Sequence, residues 1–132
     1  MIKSETQIRV RYAETDQMAY VYYGNYAIYF EVARVELLRQ LGFTYKKLEE
    51  EGVMLPVLDF SIKYIRPAFY DDLLTIKTTI SELPTTRIKF SYETFNEAGT
   101  LLNKAETSLV FISKTTNKPI QIPPHMKEAF SW

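Results

Sequence analysis

Two carboxylates, Glu14 and Asp16, open the segment ETDQMAYVYYGNY, and they are followed by Tyr20, Tyr22, Tyr23 and Tyr26 and by the pair Gly24-Asn25. A carboxylate held in place can take a proton from water, or can attack a carbonyl carbon itself. Asn25, directly ahead of a long apolar run, is a good N-cap and marks a helix start. The first turn of a helix offers unpaired backbone N–H groups and about half a positive charge, which together can stabilise a developing oxyanion. The segment thus joins an acid–base or nucleophilic group to an oxyanion-binding element, with aromatic side chains able to wall off water. The chain has no cysteine, which removes thiol nucleophiles, disulfides and thiolate metal sites. Its one histidine, His125, lies in a Pro-rich tail, far in sequence from these carboxylates. Each residue also has a plainer reading: an Asp after a strand often shapes a turn, and tyrosines often pack cores and interfaces.

The elements that must position these residues can be read from periodicity. Residues 5–12 alternate, with Ile8, Val10 and Tyr12 on one side and Gln7, Arg9 and Arg11 on the other, the pattern of a half-buried strand. From Tyr26 to Leu41 the chain has no Gly or Pro and stops at Gly42, a good C′ residue, so a helix is predicted there. Its first two turns are apolar almost all round, which predicts an enclosed helix. Thr44 can cap a second, short helix that Gly52 ends. Beyond Gly52 four strand-like runs follow: 54–66, then 74–80 opened by Asp71-Asp72, then 86–95, then 100–113. The last three are joined by short turns and predict an antiparallel meander. The tail from about residue 114 reads as irregular. One strand, one apolar helix and four strands give an α+β order in which a single antiparallel sheet must cover the helix.

At 132 residues the chain is predicted to be a single domain. Lys+Arg and Asp+Glu are both 16, so no basic footprint for nucleic acid is present. No apolar run reaches the length of a signal peptide or a membrane span, and a cytoplasmic protein is expected.

The segment V-R-Y-x-x-T-D-x-M (10–18), followed by Y-x-G-N-Y (22–26), F-E-x-A-R (30–34) and R-P-A-x-Y-D-D (66–72), resembles the hot-dog fold acyl-CoA thioesterases of the 4-hydroxybenzoyl-CoA thioesterase type. The resemblance covers nearly the whole chain except the tail. It implies a five-stranded antiparallel sheet wrapped round a central helix, assembled as a homo-oligomer, a dimer or a dimer of dimers. It implies hydrolysis of acyl-CoA to free acid and coenzyme A without metal or organic cofactor.

Carried over position by position, the resemblance makes Asp16 the catalytic carboxylate, as general base or as nucleophile. It puts the backbone N–H groups of Tyr23 and Gly24 at the thioester carbonyl. Tyr20, Tyr22 and Asn25 then become candidate substrate contacts, and Arg66, Arg87 and Lys89 candidate partners for the phosphates of coenzyme A, although scattered cations are often only solvated. Glu14 falls in the variable part of the matched segment and is the lesser carboxylate candidate. Glu31 and Arg34 stand three apart and suggest a local ion pair. Two positions depart from the pattern: Ala19-Tyr20 replaces a common Gly-Val, and Tyr23 replaces a common His. A carrier-protein thioesterase and a non-catalytic acyl-thioester-binding module are the alternative functions.

Overall fold

The computed structural model describes residues 1–130. In chain order the elements are β1 (Ile2–Arg9), α1 (Asn25–Gln40), α2 (Tyr45–Glu50), β2 (Val53–Met54), β3 (Val57–Tyr64), β4 (Leu73–Ile80), β5 (Arg87–Phe95), β6 (Leu101–Val110), β7 (Ile112–Ser113) and α3 (Pro124–Lys127). Single 3₁₀ turns occupy Tyr12–Glu14 and Glu128–Phe130. Five strands form one antiparallel sheet in the order β1-β4-β5-β6-β3, and β2 pairs with β7 in a separate ribbon. The β4-β5-β6 meander is the one the short turns predict. The two outer positions are filled by β1, which returns beside β4, and by β3, which crosses over to β6.

Alternation in the strands decides which side chains meet the helix. Leu74, Ile76 and Ile80 of β4, Ile88, Phe90 and Tyr92 of β5, and Ala105 and Leu109 of β6 are buried on the inner face. Helix α1 lays Tyr26, Tyr29, Phe30, Ala33, Leu37 and Leu38 on that face, an i, i+3, i+4, i+7 stripe. Phe30 stacks on Tyr92 with ring centroids 4.5 Å apart. Each such side chain contributes roughly 2 kcal/mol of apolar burial, so this stripe is what fixes the helix on the sheet. Gly42 sits just past the helix end at φ 93°, a conformation that a Cβ would disfavour.

Four sequence expectations need correction. The first strand spans Ile2–Arg9 rather than 5–12, and Tyr12 falls, exposed, in the 3₁₀ turn beyond it. The helix starts one residue early, with Gly24 at the N-cap and Asn25 already helical. It is also not enclosed within one chain: Ile28 and Val32 are 53% and 41% exposed on its outer face. The tail is irregular only as far as Pro123. It then turns into α3, which inserts Met126, and Phe130 follows it into the core, both at 1% exposure or less. A Pro-Pro pair conceals that helix, since Pro is compatible with the first helical turn although it breaks helices elsewhere. The reading of the tail also extended over Ser131 and Trp132, which lie outside the described residues.

Candidate active site

Strand β1 delivers the chain to the 3₁₀ turn Tyr12–Glu14, and a tight reversal follows in which Thr15 bridges Val21. Asp16 N–H donates to the Tyr20 carbonyl (2.8 Å) and Ala19 N–H to the Asp16 carbonyl (2.9 Å). Ala19 takes φ 65°, which explains why glycine would suit this position. The Asp16 carboxylate completes the turn through one oxygen: Oδ1 accepts from Met18 N–H (2.9 Å) and Tyr20 N–H (3.3 Å). Among the described residues Oδ2 has no partner. Asp16 is therefore a turn former whose other carboxylate oxygen is uncommitted among the described residues.

The reversal leads directly to the start of α1. Tyr22 N–H donates to the Glu14 carbonyl (2.8 Å), while Asn25 and Tyr26 N–H donate to the carbonyls of Tyr22 and Tyr23 (2.9 and 3.2 Å). Between them, the N–H groups of Tyr23 and Gly24 have no acceptor among the described residues. Unpaired donors at a helix start are the raw material of an anion site. Gly24 has an ordinary helical φ of −64°, so it is not needed for an unusual backbone angle. Its lack of a side chain matters because a Cβ would lie 3.0 Å from Cε2 of Tyr22.

Asp16, Tyr20 and Tyr23 line one cleft of about 310 Å³ with Met18, Val21, Tyr26, Tyr64, Ile65, Arg66 and Pro67. Arg66 makes no ion pair among the described residues, so a cation stands free at the rim of the cleft that holds Asp16. The wall from Tyr64 to Pro67 comes from the end of β3. Its sequence signal was the alternation of Phe60, Ile62 and Tyr64, which puts Tyr64 on the helix side; its ring lies 5.8 Å from that of Tyr26.

The residue least visible in the sequence is Glu14. It is 8% exposed, and its carboxylate accepts from Arg11 N–H (2.8 Å), from the Arg11 guanidinium (2.9 Å to Nη2) and from the Tyr29 hydroxyl (2.9 Å). Its carbonyl accepts from Tyr22 N–H and from the Asn25 side-chain amide (2.8 Å). Burial alone would raise the Glu14 pKa, but the hydrogen bonds from Arg11 and Tyr29 hold it below the usual carboxylate range. Burial, then the bond to Glu14, pushes the Tyr29 phenol well up. Glu14 is thus an ionised tie between the turn and α1, and its oxygens are already occupied.

Other expected residues are placed elsewhere. Asn25 does not cap the helix; its amide is spent on the Glu14 carbonyl. Tyr22 does not line the cleft but packs on Tyr23 with centroids 4.8 Å apart, and a hydrogen bond to Tyr23 raises its pKa. Arg87 and Lys89 lie on the outer face of β5, where Lys89 pairs with Glu106 at 3.4 Å, and neither reaches the cleft of this chain. Glu31 and Arg34 form no ion pair among the described residues, because Arg34 is buried and donates to the Tyr45 hydroxyl (3.1 Å). His125 pairs with Glu51 at 3.4 Å beside α2 and lies outside the cleft. His125→Gln is accordingly expected to leave turnover and its pH profile unchanged. A pH–rate profile that loses activity or shifts in the folded variant would contradict that placement.

Comparison with known proteins agrees with this geometry. The family model described as "Thioesterase-like superfamily" matches residues 10–130. The chain is 41% identical to Bacillus subtilis YneP over 89% of this chain and 86% of that protein. It is 34% identical to the Escherichia coli acyl-CoA thioester hydrolase YbgC over 93% of this chain and 92% of that one. A DHNA-CoA thioesterase structure from Staphylococcus aureus superposes with a TM-score of 0.94 at 41% identity, covering 98% of this chain and 89% of that chain. The sheet order, the helix laid on it and these matches agree, and the chain belongs to the thioesterase-like superfamily, with its hot-dog fold.

Proposed function

We propose that this protein hydrolyses acyl-CoA thioesters to the free acid and coenzyme A in the cleft between the Asp16 turn and the start of α1. The observation that carries the reading is a pairing of free groups. Among the described residues Oδ2 of Asp16 lacks a partner, and so do the N–H groups of Tyr23 and Gly24 a few residues on, in a family of thioesterases. Names of the relatives supply the substrate class. With the thioester oxygen on the Tyr23 and Gly24 N–H groups, negative charge that develops on attack is met by fixed donors. As general base, Asp16 takes a proton from water while the water oxygen bonds to the acyl carbon; the C–S bond then breaks and the thiolate leaves. As nucleophile, Asp16 bonds to the acyl carbon, the C–S bond breaks as the thiolate leaves, and water opens the resulting anhydride to the free acid and the restored carboxylate. Both routes need the same free oxygen. Arg66 at the rim offers a partner for a coenzyme A phosphate, and Tyr20 and Tyr23 exclude water from the reacting carbonyl. The cytoplasmic setting belongs to the same proposal. Thiol release from a panel of acyl-CoA and acyl-carrier-protein thioesters tests it: hydrolysis of CoA substrates is expected, and hydrolysis of carrier-protein substrates alone would replace the donor.

The working unit in this proposal is a homo-oligomer, a dimer or a dimer of dimers. Among the described residues β3 pairs only with β6, leaving one edge open, and its Val57, Leu58, Phe60 and Tyr64 are 39–48% exposed beside the exposed Ile28 and Val32 of α1. An open apolar edge next to an apolar helix face is unstable in water unless covered, and a second copy covers both symmetrically. Sedimentation at assay concentration should give a dimer or larger species, and an active monomer would overturn this assembly.

A further inference from the structure

The proposed chemistry needs two sets of atoms at a fixed separation, and they ride on different pieces of backbone. Oδ2 of Asp16 belongs to the reversal that follows β1, whereas the N–H groups of Tyr23 and Gly24 open α1. Helix α1 is seated on the sheet by its own apolar stripe, including the stack of Phe30 on Tyr92. The reversal has no such seat on its outgoing limb. Of residues 11–20, Glu14 alone is buried, and positions 17–20 at the tip are all exposed. Glu14 is therefore the anchor from which Asp16, two residues on, is aimed.

Two side chains of α1 grip that anchor at two points. The Asn25 side-chain amide donates to the Glu14 carbonyl (2.8 Å), and the Tyr29 hydroxyl donates to Oε1 of the Glu14 carboxylate (2.9 Å). Asn25 directly follows Gly24, and Tyr29 comes four residues later, so both project from one face of the helix. Held by its backbone and by its side chain at once, Glu14 is fixed in both distance and rotation relative to the helix start. Tyr29 is 2% exposed and meets Tyr26 edge to face at 5.7 Å, so the tie does not swing. None of Glu14, Asn25 and Tyr29 lines the cleft. Burying a carboxylate to fasten an exposed loop is a costly route to stability, since apolar side chains of similar volume often do as well. What the polar bonds add is direction.

We propose that Asn25 and Tyr29 are positioning residues for thioester hydrolysis: through Glu14 they set the separation between the Asp16 carboxylate and the N–H groups of Tyr23 and Gly24. This rests on reading the cleft as the acyl-thioester site. Neither residue touches substrate. Each acts on the rate by holding Asp16 where its free oxygen meets water or the acyl carbon while the carbonyl oxygen lies on the helix start. A displacement of about 1 Å between such groups can cost about 10²-fold.

Tyr29→Phe keeps the ring and removes only the hydroxyl, and Asn25→Ala removes the amide while the Glu14 carbonyl keeps its bond from Tyr22 N–H. In the folded, oligomeric enzyme each should lower kcat for acyl-CoA by about 10-fold and leave KM within about 2-fold, because the carbonyl donors and Arg66 stay in place. The deciding readout is a double-mutant cycle with Asp16→Asn. Once the carboxylate is gone there is nothing left to aim, so adding Tyr29→Phe or Asn25→Ala to Asp16→Asn should change the residual kcat by less than about 2-fold. A bond that served the fold alone would cost the same factor in both backgrounds, and that result would overturn the inference, as would an unchanged kcat in either folded single variant. Should Asn25→Ala fail to fold, Tyr29→Phe carries the cycle by itself. Each of these results leaves wild-type hydrolysis, and with it the thioesterase reading, intact; a wild type that releases no thiol from acyl-CoA would overturn both.

Discussion

Glu14→Ala is expected to lower the free energy of unfolding by about 3 kcal/mol at neutral pH, because it strands partners that the fold has already desolvated. The carboxylate receives the Arg11 backbone N–H, the Arg11 guanidinium and the buried Tyr29 hydroxyl. Alanine leaves the Tyr29 hydroxyl without its acceptor inside the core, and leaves Arg11 without its counter-ion. Most of the loss comes from the buried phenol and the backbone N–H. Arg11 itself is largely exposed, so its ion pair adds little. The effect carries a pH signature. The folded-state pKa of Glu14 is lowered, so its contribution is present above the unfolded value of about 4.3 and is lost as pH falls through the folded value. Urea unfolding at neutral pH and again in acid should show the gap between wild type and variant closing on acidification. A gap below about 0.5 kcal/mol at neutral pH, or one that does not shrink in acid, would contradict the role assigned to this tie.

How far the sequence could reveal this structure depends on the range of each interaction. The alternations of Leu74, Ile76 and Ile80 and of Ile88, Phe90 and Tyr92 are local patterns, and they place the meander and its inner face correctly. The start of α1 is displaced by one residue: Asn25, a strong capping type, donates its side-chain amide to the Glu14 carbonyl across the turn instead of accepting from a helix N–H. Arg34 behaves likewise: its three-residue spacing from Glu31 suggests a surface pair, but Tyr45 on the next helix takes it instead. The open face of α1 was misread because an apolar surface looks the same in sequence whether its own chain or another covers it.

The candidate site was legible on one side, and on the other only at Arg66. Asp16, Tyr20 and Tyr23 sit in one contiguous segment whose motif carries the family resemblance, and all three line the cleft. The opposite wall, Tyr64 to Pro67, comes from a strand whose place beside β6 follows from a crossover that no local pattern records. Arg66 joins the cleft for that reason, whereas Arg87 and Lys89, on the outward positions of β5, do not. The buried side-chain atoms of Thr78, Thr94 and Asn103 that lack a partner among the described residues could not be foreseen, since the lack of a partner is a property of packing.

The second large effect is expected at Asp16, where the two uses of the carboxylate can be separated. Its turn-forming role needs only an acceptor at Oδ1 for the Met18 and Tyr20 N–H groups, and asparagine keeps that acceptor. The other oxygen becomes an amide nitrogen, which can neither take a proton from water nor attack a carbonyl. Asp16→Asn should therefore leave stability within about 0.5 kcal/mol of wild type, as for a surface substitution that breaks no bond. Turnover should fall by at least ~10²-fold, the lower end of what a positioned acid–base group supplies. Binding of acyl-CoA should survive, because the proposed carbonyl contacts are backbone N–H groups and the proposed phosphate contact is Arg66. The decisive measurement is thiol release from saturating acyl-CoA by wild type and by folded, oligomeric Asp16→Asn at equal concentration. The proposed mechanism predicts release by wild type and a loss of ~10²-fold or more in the variant; near-wild-type release by Asp16→Asn would contradict it.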